Sequence, residues 1–144
     1  MRRGFTLLEV MLVTALIGLV AGSGFLTVRT FRARDAGASA SRLIQQALIR
    51  ARTSAVAMRT DDSWGVSVAG DGATVFKGES FASRDDAYDE VFDFSAGVLV
   101  SGSSEFVFAK HTGVPASSGI VTVTYDDETY SVQVNDVGTI VYGP

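Results

Sequence analysis

Glu9 is the residue of this 144-residue chain with the most demanding surroundings. It is the only charge between Phe5 and Val28, a run otherwise made of apolar, small and hydroxyl residues. An isolated carboxylate in such a run costs several kcal/mol on membrane-insertion scales. Its chemistry is therefore that of an ion in need of a partner. A second set of acids, Asp85, Asp86, Asp89, Glu90 and Asp93, offers carboxylate oxygens of the kind calcium prefers. Their spacing matches no EF-hand loop, so we read them as a solvated acidic loop, with a calcium site as the alternative. A third set is cationic: Arg42, Arg50, Arg52 and Arg59, which suit either phosphates or the carboxylates of another protein.

Classical catalysis has little to work with. The chain has no cysteine and one histidine, His111, with no acid close to it in sequence. There is no Gly-x-Ser-x-Gly elbow and no P-loop. His111 reads as a loop residue beside Thr112-Gly113. We expect no enzyme activity and no cofactor.

Charge is divided unevenly. Through Arg59 there are nine arginines and two acids; from Thr60 onward there are three basic residues and fourteen acids. The net charge of −4 conceals a basic first part and a strongly acidic second part. The acidic part argues against sequence-independent nucleic-acid binding there, because phosphate contacts need Lys and Arg.

These residues need elements to position them. Residues 5–28 read as one membrane helix, since about twenty apolar residues cross a hydrocarbon core of about 30 Å. Gly18-x-x-x-Gly22 has the spacing of a close helix-packing motif, or is ordinary glycine enrichment of membrane helices. Arg29, Arg32 and Arg34 follow, and counting charge on the two sides does not orient the span. From Ala36 to Met58 helix formers dominate. Leu43, Ala47 and Ala51, with Ile44, Leu48 and Ala55, make one apolar stripe, and the arginines lie largely off it. With no proline between Phe5 and Met58, this helix is expected to continue the first, with Gly37 its softest point.

After Thr60-Asp61-Asp62-Ser63 the period changes to two. Strands are expected at Trp64–Val68, Ala73–Lys77, Val91–Phe94, Val98–Ser101 and Glu105–Ala109, with residues 78–90 a loop. The clearest hairpin joins Val121, Val123 and Tyr125 to Tyr130, Val132 and Val134, two triplets that share a face. A last strand covers Thr139–Tyr142. Trp64, Phe76, Phe92, Phe106 and Phe108 are expected in the core. The fold class is α+β: a long N-terminal helix, its second half packed on a small antiparallel sheet.

Gly4-Phe5-Thr6-Leu7-Leu8-Glu9 before an apolar helix resembles the class III signal of type IV pilins and type II secretion pseudopilins. Ala51-Arg52-Thr53-Ser54-Ala55, Trp64-Gly65-Val66, Phe106-x-Phe108 and Asn135-Asp136-Val137-Gly138-Thr139-Ile140 resemble the H-type, or FimT-like, minor group. The resemblance implies a pilin-like chain: a leader (1–4), a transmembrane and filament-core helix (5–28), an amphipathic helix (29–59) and a β-rich head (60–144). It implies cleavage between Gly4 and Phe5 by a prepilin peptidase, with methylation of the Phe5 amine. It implies that Glu9 pairs with the Phe5 amine of a neighbouring subunit.

The partners so implied are the peptidase, other pilin subunits and an inner-membrane assembly platform. The N-terminus would be cytoplasmic and the head periplasmic or extracellular. Some pseudopilins bind calcium, which is why the acidic set is weighed. FimT-like pilins of DNA uptake systems are why a DNA-binding minor pilin stands as the alternative function. Pairing of the arginines with acidic heads is preferred over nucleic acid. Two other readings of the N-terminus are a secretory signal peptide cut near Val20-Ala21-Gly22, which Glu9 disfavours, and a plain anchor. The region Gly22-Ser23-Gly24 lacks the proline that many pilins carry in this helix.

Overall fold

The computed structural model describes residues 6–143, with side chains described outside 23–34. A helix, α1, runs unbroken from Leu7 to Val56. Its start is capped by Thr6, whose Oγ1 accepts a hydrogen bond from the Glu9 amide at 3.3 Å. Its end is closed by Met58 in the left-handed region (φ 53°) and by the His111 amide, which donates to the Ala55 carbonyl at 3.1 Å. His111 thus sits in a loop, as expected, and serves through its backbone.

The chain forms two compact units, Met1–Ala33 and Arg34–Pro144. In the first, the side chains from Leu7 to Val20 are exposed; Leu7 and Leu19 are 78% and 75% accessible. A Cβ added at Gly18 or Gly22 would meet nothing within 4 Å. Among the described residues, no helix is long and apolar enough to cross a membrane. The span expected over 5–28 begins at Phe5, outside the described residues, and continues past Gly22 into residues whose side chains are not described. The 16 residues between Leu7 and Gly22 alone fall short of a bilayer core.

The second unit contains eight strands: β1 Trp64–Val68, β2 Gly72–Lys77, β3 Asp85–Asp93, β4 Leu99–Gly102, β5 Glu105–Phe108, β6 Gly119–Tyr125, β7 Glu128–Val134 and β8 Ile140–Gly143. They form two antiparallel sheets, ordered β3-β2-β1-β5 and β4-β6-β7-β8. This corrects the expectation of one small sheet. It also corrects the loop expected at 78–90: Phe81–Ser83 is a 3-10 turn, and β3 starts at Asp85. Acidic composition hid the strand, because Asp is a poor strand former and β3 is an edge, where charge is tolerated.

The core is the apolar stripe of α1 against both sheets. Ala40, Ile44, Ala47, Leu48, Ala51 and Ala55 are buried. They meet Val75, Val66 and Phe106, which are neighbours across β2, β1 and β5. From the second sheet come Val121, Val123, Val132 and Val134, so the expected face of that hairpin is the buried one. Trp64, Phe106 and Phe108 belong to this core, while Phe92 is only half-buried.

Two glycines are places of close approach. Gly37 is buried within α1, and a Cβ there would lie 2.8 Å from the Tyr130 ring. It is a docking point for β7 rather than the soft point expected. Gly65 faces away from α1, and the Phe76 ring lies over it; a Cβ would come within 2.3 Å of that ring and 2.8 Å of the Phe106 carbonyl. Phe76 then packs edge-on to Phe81 at 5.5 Å, closing the outer side of the first sheet. The Gly65→Ala variant is expected to lose about 1–3 kcal/mol by overpacking, read as a lower urea midpoint at unchanged slope. Unchanged stability would mean that Phe76 does not sit over Gly65.

Candidate functional site

The described residues offer two surfaces. The first is the exposed apolar face of α1. Glu9 stands there in the first helical turn, exposed, at the third position after the Thr6 cap. Thr6-Leu7-Leu8-Glu9 has capping-box spacing, a signal readable in the sequence. The helix's positive end favours an acid at this position by about 0.3–1 kcal/mol. This term lowers the cost of Glu9 without cancelling the need for a counter-charge in an apolar setting. Gly4 and Phe5 lie outside the described residues. So do the side chains of Arg29, Arg32 and Arg34.

The second surface lies between α1 and β3. Glu90 receives a hydrogen bond from Arg50 Nη2 at 2.9 Å and an ion pair from Arg50 Nε. Arg59 Nη1 stands 3.6 Å from the same carboxylate. Arg59 is itself held over the Trp64 ring, 5.2 Å from its centroid, while Trp64 Nε1 donates to the Arg59 carbonyl at 2.9 Å. The segment carrying Arg59 has Met58, Thr60 and Asp61 all at positive φ. A β-branched residue such as Thr60 is rarely found there, so backbone strain accompanies the placing of this side chain. The hydrogen bond from Arg50 is the main cause holding the Glu90 carboxyl below the usual range, and the same contact pushes the Arg50 guanidinium up.

The four arginines predicted as one face are therefore divided. Arg50 and Arg59 converge on Glu90. Arg52 points elsewhere, with its Nε donating to the Gly113 carbonyl at 3.3 Å. Arg42 is exposed. A 200° rotation separates residues two apart on a helix, which puts Arg50 and Arg52 on opposite flanks of the buried stripe.

The acidic set is distributed along β3. Asp85 stands 3.5 Å from Lys77 Nζ, and Asp89 Oδ2 accepts from Arg84 Nε at 2.7 Å. Asp86 and Asp93 are exposed. Alternation along a strand turns neighbours to opposite faces. Among the described residues, no three His, Cys, Asp or Glu side chains gather in a way that could hold a metal ion.

Residues 1–25 match the prokaryotic N-terminal methylation motif. Among solved structures, the chain is similar to the minor pseudopilin EpsH from the type 2 secretion system of Vibrio cholerae. The identity is 12%, the TM-score 0.57, and the match covers 75% of this chain and 96% of that one. Its fold is pilin-like. At that identity the second likeness is one of fold alone, a helix on antiparallel sheets, and the motif is confined to the N-terminal residues. No curated protein matches this chain.

The Glu90 contact has a pH signature. A carboxyl whose folded pKa is depressed adds stability above its ordinary pKa of about 4.3, and loses it as pH falls through the folded value. The unfolding free energy of the chain is expected to fall between about pH 5 and pH 3, and less steeply in Glu90→Gln. Equal slopes, measured by urea titration at each pH, would show that the pair contributes nothing.

Proposed function

We propose that this chain is a structural subunit, a minor pilin or pseudopilin of the H-type group, built into a type IV pilus-like or type II secretion filament. The observation that carries this reading is the exposed apolar face of α1 from Leu7 to Val20, in a chain whose head buries its own part of the same helix. A contiguous apolar face of this size needs lipid or other protein to cover it. The methylation motif over residues 1–25 supports processing at that end by a prepilin peptidase, between Gly4 and Phe5, with methylation of the Phe5 amine.

In this reading the subunit waits in the inner membrane, N-terminus cytoplasmic and head outside, until an assembly platform takes it up. Glu9 of one copy then pairs with the Phe5 amine of another. A lone buried charge is costly, and a paired one fixes register along the axis. The glycines at 18 and 22, which face open space, let helices approach closely. The protein does no chemistry of its own, and no cofactor enters the account. A DNA-binding role is less well supported. Arg50 and Arg59 are engaged by Glu90 on an acidic strand, which favours protein contacts over a phosphate backbone.

Mass analysis of the mature protein is expected to find a chain beginning at methylated Phe5. A chain beginning near Ser23 would contradict the reading. Glu9→Ala is expected to leave membrane insertion intact and to abolish filaments, as judged by fractionation and electron microscopy. Filaments at wild-type yield would remove Glu9 from the mechanism.

A further inference from the structure

α1 and β3 flank an open groove of about 480 Å³. Ile49 and Phe92 give it an apolar lining, Gln46 and Thr53 border it, and Arg50 and Arg59 supply its charge. The two guanidinium groups share one carboxylate, Glu90, so the groove keeps one unmatched positive charge. It suits a protruding acidic element that can also cover apolar surface.

The head carries such an element. β6 and β7 are joined by the turn Asp126-Asp127, closed by the pairing of Tyr125 with Glu128. Asp126 holds a left-handed conformation (φ 56°), and both aspartates are exposed. Neither has a cationic partner among the described residues. Three of the five acids of β3 differ: Asp85, Asp89 and Glu90 are engaged by Lys77, Arg84 and Arg50, while Asp86 and Asp93 are exposed. The turn is therefore a free pair of negative charges on a convex tip.

The two features sit at different heights on α1. The turn is anchored beside Gly37, where an added Cβ would lie 3.4 Å from Tyr125 Cβ. The groove is centred near Arg50. Thirteen residues of helix separate these levels, or ~20 Å along its axis. A turn and a groove so offset do not meet within one head. They can meet between two copies displaced along the helix axis. Such a contact is heterologous: each copy offers a turn to one neighbour and a groove to the next, so the series does not close.

We infer that the Asp126-Asp127 turn of one copy docks in the α1–β3 groove of a second copy of this chain. The inference rests on the filament-subunit reading and adds to it a named contact between heads. Glu90 then has a second role: it competes with the incoming aspartates for Arg50 and Arg59, and so keeps the contact weak enough to reverse.

The chain has no cysteine, so an engineered disulfide between copies is unambiguous. Full-length Gln46→Cys and Thr129→Cys chains, both at exposed positions, are co-expressed under assembly conditions and mildly oxidised. The mixed pair is expected to give a linked dimer that neither variant gives alone. Adding Asp126→Asn and Asp127→Asn should remove it. Adding Glu90→Gln should raise the linked fraction roughly two- to fivefold, the equivalent of one freed surface pair. A purely structural Glu90 would leave that fraction unchanged or lower it. A mixed pair that links no better than either variant alone overturns the docking. Filaments without the link overturn the docking and leave the subunit reading in place. A link without filaments does the reverse, and the absence of both removes both.

Discussion

The head depends on one contact: the small-residue stripe of α1, from Gly37 to Ala55, under the two sheets. Alanine at 40, 47, 51 and 55 and glycine at 37 keep that face thin. The valines of β6 and β7 and the aromatics of β1 and β5 can then approach the helix backbone closely. Ile44 and Leu48, the large members of the stripe, are completely buried. Each is worth about 1.5–3 kcal/mol in transfer terms. The inner faces of both sheets share their core with this stripe, so without it both would present an apolar face to water.

The same contact explains the rest of α1. The sheets cover residues from Gly37 onward. The apolar side chains from Leu7 to Val20 are exposed. A continuous helix thus serves two different surfaces, one internal to the subunit and one offered outward. Glu9 sits at the very start of the outward part, where the Thr6 cap and the helix's positive end reduce its cost. A counter-charge from another copy would remove the remainder. Charge repeats this division on the head, where Glu90 gathers two arginines and the β6–β7 turn keeps two free aspartates.

Much of this was legible in the residues. The apolar stripe at i, i+4, i+8 and the period-two valines of β6 and β7 gave helix and hairpin correctly, because both patterns are set by burial on one face. The N-terminal motif was legible because its residues are few and fixed in order. β3 was not, because an edge strand needs no apolar alternation and its acids read as loop. The two-sheet layout was also hidden: strand pairing such as β1 with β5, some forty residues apart, leaves no local trace. Gly37 reads as a weak point in sequence because a glycine's partner, here Tyr130, is a tertiary fact. The split of the four arginines follows from helical rotation, yet only the position of Glu90 on β3 shows which flank carries the ion pairs.

The central claim is that the outward face of α1 is an assembly surface. A helical reconstruction of the assembled filament by electron cryo-microscopy tests it most directly. The account predicts Leu7–Gly22 helices packed against their own kind at the axis, with the β-sheet heads outside. A reconstruction with the heads at the centre, or with these helices apart from one another, would contradict it.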